Sequence, residues 1–258
     1  MSIAVLPAPV SARDADHRPG LGRLTLVELR KMTDTRAGLW LLSITAFLTV
    51  AVVAIAGLTL DAQDRTLREF LAIATVPLSL LGPVVGILLV TSEWSQRTSL
   101  ITFTLVPHRS RVLVAKLFAG ISLAVIGIQL CLATALLATA AFGGGGDETW
   151  SLSAALIGQD ALSVVVAMIA GVGFGAVLLA SAPAIVLFFV LPTAWAALGQ
   201  INALEGAAKW LDQTRAMEHI LERSLSGAEW ARVGTSVALW VLLPVVIGFW
   251  RVKRDDVR

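Results

Sequence analysis

Long uncharged segments alternate with short polar segments along this chain. Five segments contain no charged residue, and they are 18 to 44 residues long. A membrane-spanning helix needs about 20 apolar residues. The longest segment would extend about 66 Å as one helix, roughly twice the thickness of a bilayer core, and Ser181-Ala182-Pro183 offers a place where it turns back. The pattern predicts six spanning helices, at about 39–60, 70–91, 112–142, 156–180, 183–201 and 233–250.

The composition supports this prediction. Hydrophobic residues make up 57% of the chain and charged residues 15%, whereas an ordinary soluble domain has about 25% charged residues. We therefore expect an all-α polytopic membrane protein. Residues 21–258 form its single transmembrane domain, and residues 1–20 form a disordered cytosolic tail, because they combine prolines and mixed charges with little apolar surface.

The positive charges predict the orientation. Fourteen of the twenty Lys and Arg residues lie before residue 37, in the polar stretch 91–116 or after Trp250. Cytoplasmic loops carry the excess of Lys and Arg in membrane proteins, so both termini are expected inside. The basic charge then reflects topology and contact with the lipid bilayer, and we expect no nucleic-acid partner.

Two segments outside the spans have amphipathic patterns. In residues 21–36, apolar positions alternate with charged ones, which predicts a helix lying in the membrane interface; a polar flank without a specific role is the alternative. In residues 202–232, Trp210, Met217 and Leu221 share one side at helical spacing. That pattern predicts an external amphipathic helix, either flat on the membrane or re-entrant.

The polar stretch 91–116 separates the second and third spans. It carries Glu93 and four cationic residues, and its middle part, 99–106, is apolar or hydroxylic before Pro107. Apolar side chains facing the cytosol are costly unless a partner covers them. We therefore interpret the stretch as a docking surface for a soluble partner. A segment that re-enters the membrane interface is the alternative.

Catalytic and metal-binding patterns do not appear in the sequence. None of the four lysines follows a glycine, so there is no Walker A motif, and we expect neither an enzyme nor a metal site in this chain. Asp160 lies near the outer end of the fourth span, which favours an interfacial residue, with ion coupling as the alternative. Small residues at Gly82 and Gly86, and at Ala167, Gly171 and Gly175, predict closely packed helices.

Two local patterns resemble the permease subunits of ABC-2 type transporters, especially compact bacterial ones with a separate ATPase. The first is Glu28-x-x-Lys31 followed by Thr35-Arg36, just before the first span. The second is Glu93 and Thr98, followed by Pro107-x-Arg109-x-Arg111-Val112-Leu113-x-x-Lys116. The resemblance covers nearly the whole chain, including the six spans and the external amphipathic segment.

The resemblance implies a type V exporter-like permease fold in a bacterial plasma membrane. Residues 21–36 would be the connecting helix, with Glu28, Lys31 and Arg36, and about 95–107 the cytosolic coupling helix. Two permease copies would assemble with two ABC ATPase subunits, which bind ATP and Mg. The residues implied in ATPase coupling are Glu93, Arg97, Thr98, Phe103, Leu105, Pro107, Arg109 and Arg111.

The expected function is therefore export of a hydrophobic or amphiphilic substrate, such as a drug, lipid or peptide. The aliphatic, glycine and hydroxyl side chains of the spans favour such a substrate over a highly charged solute. Two other classes remain open: an ion-coupled secondary transporter or channel, and a membrane assembly scaffold.

Overall fold

The computed structural model describes residues 20–95, 109–146, 148–201, 206, 210–211 and 225–254. All regular structure within these residues is helical. The last helix is interrupted by a π-helical turn at Ala238–Leu242, and a short 3₁₀ turn at Ala62–Asp64 follows the second helix. The helices are α1 (Leu21–Asp34), α2 (Arg36–Thr59), α3 (Leu67–Ser95), α4 (Arg109–Phe142), α5 (Ala154–Leu178), α6 (Ser181–Leu198), α7 (Gly227–Val237) and α8 (Leu243–Arg254).

Six helices of the described part of the chain are long and apolar enough to cross a membrane, which confirms the predicted number of spans. The chain thus has the architecture of a multi-pass membrane protein. The structure lengthens several predicted spans, since α3 continues to Ser95 and α4 begins at Arg109. The candidate spans are Arg36–Thr59, Leu67–Trp94, Ser110–Phe142, Ala154–Leu178, Ser181–Leu198 and Gly227–Arg254.

The longest uncharged segment breaks where the sequence predicts. Helix α5 ends at Leu178, and Leu179 adopts a left-handed conformation with φ of 53°. Its backbone N–H donates to the Gly175 carbonyl at 2.8 Å, which closes the last turn of the helix. Helix α6 then begins at Ser181, and Pro183 lies in its first turn, where a missing N–H removes no helical hydrogen bond.

Helices α3 and α5 form the centre of the bundle, and their backbones touch. A methyl group added at Gly171 would lie 2.2 Å from the Pro83 carbonyl oxygen, and one at Gly86 would lie 2.5 Å from the Met168 carbonyl oxygen. These distances are far below van der Waals contact, so only glycine fits at either position. The predicted small-residue faces are confirmed at these glycines, whereas Gly82 has no neighbouring atom closer than 3.7 Å.

Helix α1 packs against α2 and α4 at one end of the bundle. Its buried residues are Met32, which joins the apolar core, and Glu28, which is only 4% exposed. A buried carboxylate needs charged or hydrogen-bonding partners. The partners of Glu28 are charged side chains of α1 and α4.

Candidate functional site

Four charged side chains from three helices meet at the end of the bundle where α1 lies. They are Glu28 and Lys31 of α1, Glu93 near the end of α3, and Lys116 in the second turn of α4. We call them the charge cluster. Glu28 and Lys31 are three positions apart on one face of α1, while the other two members are distant in sequence and are brought close by the fold.

The cluster is a closed set of alternating charges. Lys31 Nζ donates to Glu28 Oε1 at 2.7 Å and to Glu93 Oε1 at 2.5 Å. Lys116 Nζ donates to Glu28 Oε2 at 2.6 Å and lies 3.4 Å from Glu93 Oε1. Each lysine therefore bridges the same two carboxylates, and the four formal charges cancel.

The inner lysine also binds the backbone of α3. Lys116 Nζ donates to the Leu89 carbonyl oxygen at 2.7 Å, using the acceptor capacity that a carbonyl retains within a helix. Glu28, Glu93 and Lys116 are buried, whereas 39% of the Lys31 side chain is exposed. Lys116 is thus the interior member of the cluster and Lys31 its outer edge.

The surroundings of Lys31 favour its charged form. Burial alone lowers the pKa of Lys31, but the hydrogen bond and charge of Glu28, followed by those of Glu93, outweigh it and raise the pKa above 10.5. Lys31 therefore stays cationic throughout the physiological range, and both carboxylates keep a cationic partner there.

Buried ion pairs fix the relative position of the helices that carry them, but they add little net stability to the fold. The cost of taking charges out of water offsets much of their attraction, but removing one partner leaves an uncompensated charge that costs about 3–5 kcal/mol. The charge cluster therefore fixes α1 against the facing ends of α3 and α4.

The cluster lies beside the polar stretch that the sequence marks as a docking surface. Helix α3 ends at Ser95 and α4 begins at Arg109, so the cluster joins both helices that flank segment 96–108. Five predicted coupling residues lie in that segment, outside the described residues: Arg97, Thr98, Phe103, Leu105 and Pro107.

The other predicted cationic residues lie at the starts of α4 and α2. Arg109 begins α4 and Arg111 is half-buried in its first turn. Arg36 begins α2 on the exposed surface and takes no part in the ion pairs of the cluster. Of the predicted connecting-helix residues, Glu28 and Lys31 therefore join the site, and Arg36 does not.

Further contacts at the same end connect α3 to α6 and α5 to α8. The Thr91 and Ser181 hydroxyl oxygens are 2.7 Å apart, which links α3 to the start of α6. The Arg251 guanidinium of α8 donates to the Val177 carbonyl oxygen at the end of α5, where a cation complements the helix dipole. Sequence reasoning missed these contacts, because a backbone acceptor or a single hydroxyl carries no pattern in the sequence.

A small cavity adjoins the charge cluster. It is lined by Glu93 and Lys116 together with apolar residues of α3 and α4, and by Val252 of α8. The C-terminal helix therefore lies against the same site, and a movement of α3 relative to α4 would change the contact with α8.

The segment 202–232, which the sequence predicts to be external, is only partly described. Trp210 is helical and 45% exposed, and its carbonyl accepts a hydrogen bond from Thr235 at 3.1 Å. The Trp240 indole N–H donates to the Leu211 carbonyl at 2.7 Å. These contacts attach residues 210–211 to the last span, while the predicted residues Met217 and Leu221 lie outside the described part.

Asp160 faces the interior of the bundle. The sequence favours an interfacial residue near the outer end of the fourth span, and the residue lies in the second turn of α5. Its side chain is 2% exposed and lies between helices, an orientation that its position along the span does not indicate.

Comparison with known proteins assigns no family: no family model matches the chain, and no curated protein matches it. Within the described residues, no group of three or more His, Cys, Asp or Glu side chains is arranged to hold a metal ion. The site consists of charge pairs that connect helices. Such pairs can hold the helices in fixed relative positions, or make one helix move with another.

Proposed function

We propose that this chain is the membrane-spanning permease subunit of an ATP-driven transporter of the ABC-2 type, with ATP hydrolysis in a separate subunit. One observation carries the proposal: the charge cluster connects α1 to both helices that flank segment 96–108. Segment 96–108 continues directly into the spans α3 and α4, and the cluster ties both to α1, so a partner's movement at the segment would reach all three helices.

The proposed mechanism begins at segment 96–108. Closure of the ATPase on ATP pushes this segment, and the ends of α3 and α4 move with it. The cluster transfers the displacement to α1, and the backbone contact between α3 and α5 transfers it to the centre of the bundle. Close-packed helices move as rigid bodies between discrete arrangements, here the inward-facing and outward-facing states.

The proposal includes the partners of this subunit. A second permease copy completes the translocation path, and two ATPase subunits bind ATP and Mg. The termini lie in the cytoplasm, as the Lys and Arg distribution predicts. Apolar spans favour a hydrophobic or amphiphilic cargo, which we expect to be exported.

Co-purification with a candidate ATPase tests this proposal. The full chain is co-expressed with a candidate ATPase and purified in detergent, and ATP turnover is measured with and without the chain. A stable complex with altered turnover is expected. A chain that purifies alone and leaves turnover unchanged would contradict the proposal, and substrate transport without any ATPase would favour an ion-coupled transporter.

Substitutions in segment 96–108 test the docking surface itself. Arg97→Glu reverses the charge expected to face an acidic rim on the ATPase, and Phe103→Ala removes an apolar side chain expected to fill its cleft. Both variants should insert into the membrane normally and lose ATPase stimulation and transport. Trp210→Ala, on the opposite side of the membrane in the predicted topology, is the control; normal transport in both docking variants would refute the assignment.

A further inference from the structure

Asp160 carries a buried carboxyl group at the end of the bundle opposite the charge cluster. It lies in the second turn of α5, about 25 Å along the helix from Val177, and its side chain is 2% exposed. Its Oδ2 atom has no hydrogen-bond partner among the described residues. A buried charge without a partner is costly, and an ionisable residue within a span is a candidate for function.

The polar neighbours of this carboxyl group do not satisfy it fully. The Thr75 hydroxyl of α3 is within hydrogen-bonding reach of the carboxyl group and of the Leu71 and Ala72 carbonyl oxygens, at 3.2 and 3.0 Å. The Cys131 thiol of α4, close enough to interact electrostatically, donates to the Ala74 carbonyl oxygen at 3.3 Å. A hydroxyl or thiol has a single proton to donate, and Oδ2 remains without a partner among the described residues.

Asp160 also lines a small cavity between α3 and α5. Apolar side chains form most of its wall, and one lining residue, Arg68, is exposed, so the cavity reaches the protein surface. In the described part of the chain, no salt bridge joins Arg68 to Asp160. The lining residues are Arg68, Leu71, Ala72, Leu152, Leu156 and Asp160.

The chemistry of the cavity favours a proton over a metal ion. Calcium binds six to eight oxygen ligands and magnesium requires octahedral coordination, whereas the side chains of this wall provide one carboxylate as the only oxygen ligand. A proton needs one oxygen, and the neutral acid removes the cost of the buried charge. Arg68 of α3 and Cys131 of α4 are the titratable groups among the described residues that face Asp160.

We propose that Asp160 is a proton-binding site within the spans, which exchanges its proton with the outer side through the cavity beside Arg68. Water in the cavity delivers the proton to Oδ2 and accepts it on release, so the carboxyl group alternates between the neutral acid and the carboxylate. The site does not depend on an ATPase partner and therefore goes beyond the proposed permease function.

Infrared difference spectroscopy detects this proton directly. Spectra of the full chain in lipid vesicles are recorded while the pH is changed, and wild type is compared with Asp160→Asn. All carboxyl groups of the chain absorb in this region on acidification, so the Asp160 band is obtained by subtracting the Asp160→Asn spectra from those of wild type. A carboxylic-acid carbonyl band that appears on acidification, disappears on return to alkaline pH and is missing from Asp160→Asn is expected. Glu69→Gln, which removes an exposed carboxylate of α3, should retain the band. The absence of any pH-dependent band assigned to Asp160 would overturn the proposal.

A pair of substitutions on α3 tests the route. Ala72→Phe places a ring in the cavity wall, while Val76→Phe adds the same ring one turn further on, where the native side chain is 59% exposed. Hydrogen–deuterium exchange of the Asp160 band should be slower in Ala72→Phe and unchanged in Val76→Phe. Equal exchange rates in the two variants would exclude the cavity as the route.

Discussion

At the scale of single residues, the charge cluster shows that two lysines with the same partners have different roles. Lys116 is buried and binds both carboxylates and the Leu89 carbonyl oxygen, whereas Lys31 binds the same carboxylates from the protein surface. Water can replace part of what Lys31 provides but cannot reach the position of Lys116. The energetic consequences of losing each lysine should therefore differ.

We expect Lys116→Met to destabilise the protein far more than Lys31→Met. Loss of Lys116 leaves two buried carboxylates with one cation, which costs about 3–5 kcal/mol. Loss of the half-exposed Lys31 should cost about 1 kcal/mol or less. Thermal unfolding of the purified variants measures both effects. The double variant Glu28→Gln with Lys116→Met should recover part of the loss, since it removes both charges of one pair; equal destabilisation by the two single lysine variants would contradict this account.

The stabilisation by Lys31 should depend on pH in one direction. Because the pKa of Lys31 is raised in the folded state, its contribution is complete below pH 10.5 and is lost as the pH rises through the folded-state value. The difference in unfolding temperature between wild type and Lys31→Met should therefore be constant near neutral pH and shrink above pH 10.5. An increase of this difference in unfolding temperature with rising pH would contradict the prediction.

The sequence indicated three of the four cluster residues as site residues but not their mutual contact. Glu28 and Lys31 are three positions apart, so their shared face follows from helix geometry. Lys31 and Glu93 are 62 positions apart, and Lys116 and Glu28 are 88 apart. No local pattern specifies a pairing over such distances, and only the packing of α1 against α4 creates it.

At the scale of helices, the number of spans and the break at residues 179–181 were predictable because chain length and hydropathy determine them. The helix partners were not, since apolar side chains facing lipid resemble those facing a neighbouring helix. The small-residue patterns marked Gly86 and Gly171 as close-packing positions, yet nothing in the sequence paired α3 with α5. For the same reason the inward orientation of Asp160 was missed.

The close approach of α3 and α5 predicts unequal effects of two glycine substitutions. A methyl group in Gly171→Ala meets the Pro83 carbonyl oxygen at 2.2 Å, so the helices must separate, with an expected loss of about 1–3 kcal/mol. In Gly158→Ala, on the same helix, no atom lies within 4 Å of the added methyl group, and alanine is the better helix former, so this variant should be as stable as wild type. Thermal unfolding of both provides the comparison, and a similar loss at both positions would rule out backbone contact as the cause.

At the scale of the whole molecule, two polar features lie at opposite ends of one central helix pair. The charge cluster holds α1 and the ends of α3 and α4, while Asp160 lies between helices near the start of α5. The same α3–α5 contact lies between them, so a movement at one end changes packing at the other. In the predicted topology, the cluster faces the cytoplasmic partner and Asp160 the outer side.

If the chain is the proposed permease, this arrangement predicts that the cluster is required to couple ATP hydrolysis in the partner to transport. In the complex with the ATPase, the double variant Glu28→Gln with Lys116→Met leaves segment 96–108 intact but removes the ion pair between α1 and α4. We expect normal complex formation and ATP turnover with reduced substrate transport, because α4 no longer passes the displacement to α1 and only the Lys31–Glu93 pair still links α1 to α3.

The control for coupling is Arg36→Gln, which changes an exposed cationic residue next to α1 that takes no part in the cluster. It should transport at the wild-type rate. Full transport by the double variant would show that the displacement does not pass through the Glu28–Lys116 pair, even if the chain is a permease. Failure of the wild-type chain to bind any ATPase would instead refute the permease function itself. The two hypotheses are therefore distinguishable, because one is tested by transport in the double variant and the other by complex formation of the wild-type chain.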